Sequence, residues 1–393
     1  MESYLVAHET EMRATTHESM HICEARGRRL REAFVRFPWE IYADDPHWAP
    51  PLLVERREFI DAKRHPFYLH GAATPLLAFR GRHVVGRVLV SDDPNYNHEH
   101  GSNVGCFGMF EAIDDEEVAT ALIHAAADWL RARGRDTLRG PIDYSLNYTC
   151  GLLIDGFDAP PRLMMGHNPP YYERLLDACD LQKAKDLYAW WYDDSSDVLK
   201  MWQGRAERLA ARSRVRIRAM NLANLDAEIE RCKRVYNAAW QRNWGFVKMT
   251  DAEFQHLARQ LKLIAIPELL LLAEVDDEPV GFSLALPDMN EAIRPLNGRL
   301  FRWGLPLGLV QLYFSRRHVR TARLMALGIL EPFRRRGVAE LLILRSLEYG
   351  KHVAGLTGAE LGWTLEDNHL INRTIEVVGG QRYKTYRIYE RAI

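Results

Sequence analysis

Residues 328–343, GILEPFRRRGVAELLI, decide the fold of this chain. An apolar run typical of a β-strand leads into a proline and three arginines, and after Gly337 the sequence becomes apolar again with helical spacing. A helix N-terminus carries unpaired N–H groups and the positive end of the helix dipole, so it binds anions. Glycine lets the backbone approach a phosphate, and arginine adds charge-assisted hydrogen bonds. The same pattern also suits a solvated helix start, so the remaining sequence must decide between the two interpretations.

The composition is that of a globular protein without a general attraction to polyanions. The chain has 393 residues, 47% hydrophobic and 27% charged, with a formal net charge of −1. This length allows two domains, and the charge balance predicts no nucleic-acid partner. The five cysteines are scattered without metal-ligand spacing, so we expect no metal site, no disulfides and a cytoplasmic location. The longest apolar run is too short to span a bilayer.

The two halves of the chain repeat the same order of strand and helix patterns. In each half a strand and loop lead to an asparagine, Asn168 or Asn368, then to a short helix and an aromatic strand. The pattern predicts an α/β (α+β) fold with two domains, each a mixed, mostly antiparallel twisted sheet flanked by helices. We expect a flexible polar tail at 1–22, a first domain at 23–195 and a second at 196–393, because the junction is small and polar.

The order Arg334-x-x-Gly337-x-Ala339 after a strand, with a proline in front, resembles the acyl-CoA-binding motif of the GNAT superfamily of N-acyltransferases. The segment WTLEDNHLINRTIEVVGGQRYK, in which Gly379 follows Asn368 by eleven residues, resembles the next motif of that superfamily. The resemblance implies two GNAT-like domains of the tandem-domain bacterial type. In the first half, the acidic IDDEEVATALI stands where the arginine-rich loop should lie, so we expect that domain to be degenerate for CoA binding.

The resemblance also implies how acyl-CoA, as co-substrate, is held without a metal. The strand before the loop pairs its backbone with the pantetheine arm, the loop holds the pyrophosphate, and the thioester lies where the next strand splays away. The residues implied for this role are Leu327, Gly328, Ile329, Arg334, Arg335, Arg336, Gly337, Val338, Ala339 and Asn368.

Acyl transfer to an amine needs a group that accepts the amine proton. A free alkyl amine is almost wholly protonated at pH 7, so a carboxylate or histidine has to take that proton. Strand alternation in GAELGWTLED places Glu360 and Glu366 on one face, and we predict Glu366 as general base with Glu360 second. The structural alternative is that these carboxylates pair with arginines across the sheet.

The proton donor is harder to assign. The superfamily often has a tyrosine seven residues after the motif asparagine, but this chain has Ile375 there. Asn372, one turn after the motif asparagine, is the nearest polar substitute, although it donates only a hydrogen bond. His318, His369 or a water are the other candidates for this role.

Residues 296–320, LNGRLFRWGLPLGLVQLYFSRRHVR, form an insertion where this fold often has a short turn. Ten of its residues are large and apolar, and arginines follow them. Three interpretations compete: a helical hairpin buried against the first domain, the wall of a tunnel for a long chain, or a peripheral membrane contact with arginines at the headgroups. Because each buried CH₂ contributes about 0.8 kcal/mol, a tunnel would favour long-chain substrates steeply.

The sequence therefore predicts an acyl-CoA-dependent N-acyltransferase with a small-molecule amine acceptor. Some acyltransferases of this general type make ceramide, so the resemblance favours a hydrophobic acceptor. Two other functions stay open: a tandem peptidyl transferase that uses an aminoacyl-tRNA donor, and a non-catalytic sensor of CoA or another ligand.

Overall fold

The computed structural model of this chain describes residues 19–194 and 198–393. The junction predicted between residues 195 and 196 lies outside these ranges, as does most of the tail predicted at 1–22. Residues 20–22 already belong to the first strand. The domain bounds therefore stay a prediction.

Thirteen strands of the described residues join one sheet. They are β1 (Met20–Glu24), β2 (Ala72–Arg80), β3 (His83–Asp92), β4 (Val104–Ala112), β5 (Thr137–Gly140), β6 (Leu152–Asp155), β7 (Gln182–Asp193), β8 (Arg216–Ala219), β9 (Leu270–Val275), β10 (Glu278–Pro287), β11 (Thr321–Ile329), β12 (Gly358–Leu365) and β13 (Gln381–Ala392).

Helices lie between these strands in both halves of the described chain. They are α1 (Gly27–Arg36), α2 (Pro38–Ile41), α3 (Leu53–Phe59), α4 (Pro94–His100), α5 (Glu116–Arg131), α6 (Tyr172–Asp177), α7 (Val198–Ser213), α8 (Leu225–Trp240), α9 (Asp251–Lys262), α10 (Met289–Ile293), α11 (Leu307–Ser315), α12 (Val338–His352) and α13 (His369–Val377).

The sheet is continuous through the two halves because they exchange their last strands. Its order is β1-β2-β3-β4-β5-β13-β7-β12-β11-β10-β9-β8, with β6 also beside β13. The pairs β4–β5 and β11–β12 are parallel, and the other strand pairs are antiparallel. The predicted fold class, two halves with mixed and mostly antiparallel sheets flanked by helices, is confirmed. A cut at the predicted junction would separate each half from the strand that the other half contributes to it.

Local sequence signals explain why these elements begin and end where they do. The turn between β9 and β10 places Asp276 and Asp277 at φ of 50° and 64°, the left-handed region that a tight hairpin requires and that aspartate tolerates. Asp115 begins α5 by accepting hydrogen bonds from the N–H groups of Glu117 and Val118. This is the capping role that the acidic stretch before the helix predicts.

A buried polar seam joins β13 to the first half of the chain. The Lys384 side chain is 0% exposed, and its ammonium donates to the carbonyls of Gly156 and Ala159 at 2.5 and 2.6 Å. Burial lowers the pKa of Lys384 to about 8. Since water would solvate the charged form better, this lysine makes the stability of the folded state depend on pH.

We expect the stability of the folded chain to rise between pH 7.5 and 10 through Lys384. Its ordinary pKa is 10.5, so in this interval the unfolded chain binds more protons at this site than the folded chain, and the free energy of unfolding increases with pH. The shift corresponds to about 2 kcal/mol over the interval. Denaturant unfolding of wild type and Lys384→Met at both pH values measures it.

The exposed Lys63→Met variant is the control for this experiment. It should track wild type across the pH range, because its ammonium stays in water when the chain folds. A difference between wild type and Lys384→Met that does not change with pH would contradict the prediction.

Candidate active site

The central strands of the second half part at their C-terminal ends. Parallel pairing of β11 with β12 ends at Leu324 and Leu361, and Met325 forms a bulge against β10. On the other strand, Gly362 has φ of +108°, and the pairing of β12 with β7 shifts register between Leu361 and Thr364. After Leu324, β11 is paired with β10 on one side and is no longer paired with β12 on the other. Its backbone N–H and C=O groups on the side of β12 are therefore open to a ligand.

The arginine-rich loop follows this open edge. Gly337 adopts φ of +78° just before α12, a left-handed conformation that suits glycine and that turns the chain into the helix. The Arg335 and Arg336 side chains are exposed. Arg334 is different, because its guanidinium donates to the carbonyls of Ile329 and Ala239 and so ties the loop to α8.

The loop therefore has two kinds of arginine. A guanidinium has five donors, so Arg334 keeps some of them for a ligand while it anchors the loop. Arg335 and Arg336 are open to water on the exposed surface of the same loop. The side chains of Val338 and Ala339 are buried, so these two residues can offer a ligand only their N–H groups at the start of α12.

An apolar cavity of about 290 Å³ opens beside the gap between β11 and β12. Its walls come mainly from the ends of these strands, from α8, α9 and α13, and from residues 243–249. The first half contributes residues 146–148 and Met164, so the cavity lies between the two halves. A cavity of this composition suits a hydrocarbon chain.

The first half also supplies a polar group to the wall of this cavity. Tyr148 lines it, and its hydroxyl donates to the buried Glu253 carboxylate at 3.0 Å. Glu253 caps α9 by accepting from the Thr250 N–H at 3.0 Å. His70 lies behind this pair, with Nε2 3.9 Å from Glu253 Oε2 and 3.6 Å from Asp93 Oδ1.

The Tyr148 hydroxyl, at the cavity wall, and the Glu253 carboxylate form a hydrogen-bonded pair that can relay a proton. Burial and the neighbouring carboxylate raise the pKa of Tyr148, so its hydroxyl keeps its proton at neutral pH. A hydroxyl can receive a proton from a ligand while it gives its own to an acceptor behind it.

Comparison with known proteins identifies the family of this chain. A sequence profile of the Acetyltransferase (GNAT) family matches residues 229–373. Protein YghO of Escherichia coli (strain K12) is 37% identical over 369 residues, which are 92% of this chain and 93% of that protein. The chain belongs to the GNAT family. A second GNAT-type relative, bacterial ceramide synthase of Caulobacter vibrioides (strain NA1000 / CB15N), is 36% identical over 366 residues, 92% of this chain and 94% of that one.

Solved GNAT structures share the whole architecture at low sequence identity. A tandem GNAT protein from the clavulanic acid biosynthesis pathway covers 95% of this chain and 98% of its own, with a TM-score of 0.57 and 14% identity. A GCN5-related N-acetyltransferase from Sphaerobacter thermophilus covers 95% of each chain, with a TM-score of 0.52 and 13% identity. These likenesses concern the fold.

The residues predicted as general base do not line the cavity of this GNAT chain. Glu366 accepts from the Lys183 ammonium at 2.6 Å and from the Asp186 N–H at 3.1 Å. Glu360 is fully buried, where burial raises its pKa. Glu360 Oε1 lies 3.0 Å from Nε of Arg323. The hydrogen on this Nε is donated to the Gly362 carbonyl.

Strand alternation was the wrong guide to the position of these carboxylates. The irregularity around Gly362 breaks the period of two, so consecutive residues 362–365 line the cavity. Glu360 lies before it, opposite Arg323 in the regular pairing of β11 with β12, and Glu366 lies after it beside Lys183. The alternative interpretation, in which these carboxylates pair with arginines across the sheet, describes this arrangement better. Glu360 pairs with Arg323, and Glu366 pairs with Lys183 in place of an arginine. Neither carboxylate reaches the cavity wall in this geometry.

The asparagines of the second motif are divided between the cavity and the core. Asn368 lines the cavity at the start of α13, and Ile375, at the position of the missing tyrosine, lines it too. Asn372 is buried and donates to the carbonyls of Leu365 at 3.1 Å and Glu366 at 3.4 Å. Asn372 therefore holds the end of β12 and does not face a ligand.

The equivalent region of the first half carries acids at the helix start. Arg80 lies 2.9 Å from Asp115 and 3.2 Å from Glu117, and Arg174 pairs with the acids on either side of Asp115. The residues after β5 close the gap beside β4, since Asp143 accepts from the Met109 N–H at 2.8 Å. The acids of this helix start are paired with Arg80 and Arg174, and the loss of CoA binding in the first half stays a prediction.

The insertion does not form a buried hairpin, and the tunnel interpretation also fails. Its first residues contact the first half: the Trp39 indole donates to Asn297 at 2.6 Å, and the Leu53 N–H to the Gly298 carbonyl at 3.0 Å. The cavity walls come from other segments of the chain. Eight other large side chains of the insertion are exposed to water; we call them the apolar face, and they are Phe301, Trp303, Leu305, Leu307, Leu309, Val310, Tyr313 and Phe314.

Among the described residues no helix is long and apolar enough to cross a membrane, and no cluster of metal-ligating side chains is present. The two histidines of the HEH sequence at 98–100 do not belong to such a cluster. Nε2 of His100 lies 2.6 Å from the Phe246 carbonyl oxygen.

Sequence reasoning missed the polar wall of the cavity. Thr250 and Glu253 form a capping box at the start of α9. This motif by itself accounts for a glutamate at position 253, so the sequence does not indicate that Glu253 also contacts Tyr148. Tyr148 comes from the half that lacks the CoA motif. The segment 244–249 is rich in aromatic residues, and Trp244, Phe246 and Met249 of this segment line the cavity.

Proposed function

We propose that this chain is an acyl-CoA-dependent N-acyltransferase that moves an acyl group from a CoA thioester to a primary amine, with a long hydrocarbon chain of one substrate in the apolar cavity. The observation that carries the proposal is the position of this cavity, directly beside the open edge of β11. The relative named bacterial ceramide synthase supports it, because a ceramide is the amide of a long-chain amine.

The residues around the gap fit acyl-CoA. The open backbone edge at Leu327–Ile329 suits the amides of the pantetheine arm, and the exposed Arg335 and Arg336 with the N–H groups at the start of α12 suit the pyrophosphate. When bound, this co-substrate supplies an acyl group activated as a thioester.

Tyr148 and Glu253 are the proposed route for the amine proton. A neutral amine forms the new C–N bond as the C–S bond breaks, and the thiolate leaves with the electron pair. The amine proton passes to the Tyr148 oxygen while the tyrosine proton passes to Glu253. A thiol pKa near 8.5 makes the thiolate an acceptable leaving group without a dedicated acid.

We also propose a cytoplasmic location. All five cysteines lie in the described part of the chain and are free thiols, which suits a reducing compartment.

A substitution that fills the cavity tests the hydrocarbon assignment. Ala258 lines the cavity from α9, so Ala258→Phe should lower kcat/KM for long-chain substrates by about tenfold or more and leave short-chain substrates nearly unchanged. Thiol release from acetyl-CoA and palmitoyl-CoA, each with a short and a long-chain amine, measures the effect. If kcat/KM of the variant no longer depends on the chain length of one substrate, the chain of that substrate is the one that occupies the cavity.

Ala252→Phe is the matched control, because Ala252 lies on the same helix, is also half-buried and is absent from the cavity wall. Equal loss with long and short chains in the Ala258→Phe variant would contradict the hydrocarbon assignment. If wild type releases no thiol from any CoA thioester with any amine, the reaction itself fails. Transfer from aminoacyl-tRNA, or CoA binding without turnover, would then replace it.

A further inference from the structure

The apolar face at residues 301–314 has the properties of a lipid-binding surface. We propose that it docks on an anionic membrane, with its aromatic and aliphatic side chains in the interface and the arginines around it at the headgroups. The proposal concerns binding alone and does not depend on the reaction proposed above.

The exposure of this face is unusual for a surface that stays in water. The Trp303 side chain is 90% exposed and Phe301 60%, and the eight side chains of the face follow each other within fourteen residues. Helix α11 is apolar on most of its surface, a composition normally found in a buried or membrane-contacting helix. Contiguous exposed apolar surface of this kind marks an interaction site.

A tight turn presents Trp303 at the tip of the face. The backbones of Arg302 and Leu305 exchange two hydrogen bonds, at 2.9 and 3.0 Å, and Trp303 between them has φ of +52°. A bulky side chain is rarely found in this left-handed region. The backbone therefore holds an indole outward, and tryptophan is the residue that prefers the boundary between water and hydrocarbon.

The charges of the insertion itself have one sign. Between Glu291 and Glu331 the chain has no acidic residue, and five of its arginines in 294–320 are exposed. The guanidinium groups of Arg316 and Arg317 lie 4.6 and 5.1 Å from the centre of the Tyr313 ring, at the border of the apolar face. Anionic headgroups attract such residues, and buried apolar side chains then add to the binding.

The base of the insertion fixes this face relative to the rest of the molecule. Leu296 is fully buried, and a Cβ on Gly298 would meet the Trp39 ring at 2.5 Å, so the two segments are in close contact. These contacts at the base therefore hold the apolar face in a defined position on the surface of the fold.

The one-sided charge favours a lipid surface over a second copy of the chain. A two-fold interface brings the same patch of two copies together, and here it would oppose arginines to arginines without acids between them. An anionic bilayer supplies the missing negative charge.

Flotation of the full chain with vesicles tests the proposal. We expect binding to vesicles of phosphatidylcholine and phosphatidylglycerol in a 7:3 ratio, weaker binding at 0.5 M salt, and weak binding to pure phosphatidylcholine. Trp303→Ser should lower the partition coefficient by about tenfold, which corresponds to ~1.4 kcal/mol. Arg316→Ala combined with Arg317→Ala should lower binding to the anionic vesicles by about fivefold for each arginine removed.

Leu263→Ser is the control, since Leu263 is an exposed leucine outside the insertion, and its partition coefficient should equal that of wild type. The proposal is overturned if wild type does not float with anionic vesicles, or if Trp303→Ser and Leu263→Ser bind alike. It is also overturned if wild type is a stable dimer that Trp303→Ser makes monomeric and that does not bind vesicles. Thiol release with a short-chain amine, measured without vesicles, tests the acyltransferase separately.

Discussion

Gly337→Glu should abolish the stabilisation of this chain by CoA. Wild type should gain about 2.7 kcal/mol when CoA is present at a hundredfold excess over its Kd, whereas the variant should gain nothing. The substitution places a negative charge at the N-terminus of α12, where the helix dipole and the arginines favour an anion. Thermal unfolding with and without CoA, acetyl-CoA and palmitoyl-CoA measures the effect, and kcat/KM should fall by at least about a hundredfold.

Gly134→Glu is the matched control for this experiment. Gly134 has φ of +74°, close to the +78° of Gly337, but it follows α5 in the first half, where a Cβ would meet nothing within 4 Å. Both variants carry the strain of a left-handed backbone, about 1 kcal/mol or more. The backbone strain therefore cancels in the comparison. The variants differ in the position of the carboxylate and in the contact of a Cβ at 337 with Leu209 Cδ2, at 2.9 Å. If both variants keep the CoA shift, the loop at 334–337 is a solvated helix start and the donor site lies elsewhere.

Arg335→Ala and Arg334→Ala should separate the two kinds of arginine in the loop. Loss of the exposed Arg335 should weaken CoA binding and leave the unliganded chain as stable as wild type. Loss of Arg334 should also lower the stability of the unliganded chain, because the carbonyls of Ile329 and Ala239 lose their donors.

Tyr148→Phe should lower kcat by about a hundredfold to ten-thousandfold and leave the KM for both substrates nearly unchanged. The variant keeps the ring in the cavity wall and removes the hydroxyl that connects the cavity with Glu253. Steady-state kinetics with a long-chain amine measures the effect. Glu253→Gln should give the same loss of kcat together with an altered pH profile, because the amide cannot accept a proton.

Tyr144→Phe is the control for Tyr148→Phe. Tyr144 stands four residues away, contacts the Tyr148 ring, and donates its hydroxyl to the Phe59 carbonyl away from the cavity. We expect this variant to lose stability and to keep wild-type kcat. If Tyr148→Phe has wild-type kcat, or if the Glu253→Gln pH profile matches that of wild type, the proposed proton route is wrong.

The sequence by itself determined the fold class and the position of the arginine-rich loop. GILEPFRRRGVAELLI contains its strand, turn and helix signals within sixteen consecutive residues, so local propensity and periodicity are sufficient to read it. The acidic start of α5 and the order of elements in both halves were readable for the same reason. Each of these features depends on residues close to each other in the chain.

The tertiary structure alone decided the exchange of strands β7 and β13, the composition of the cavity and the surroundings of the acids. Glu360 lies in an ion pair because Arg323 is its partner on the neighbouring strand, and Glu366, beyond the irregularity at Gly362, pairs with Lys183. Tyr148 and Glu253 are 105 residues apart and meet only when the halves pack together. Contacts between distant segments depend on packing, and no local pattern of residues records them.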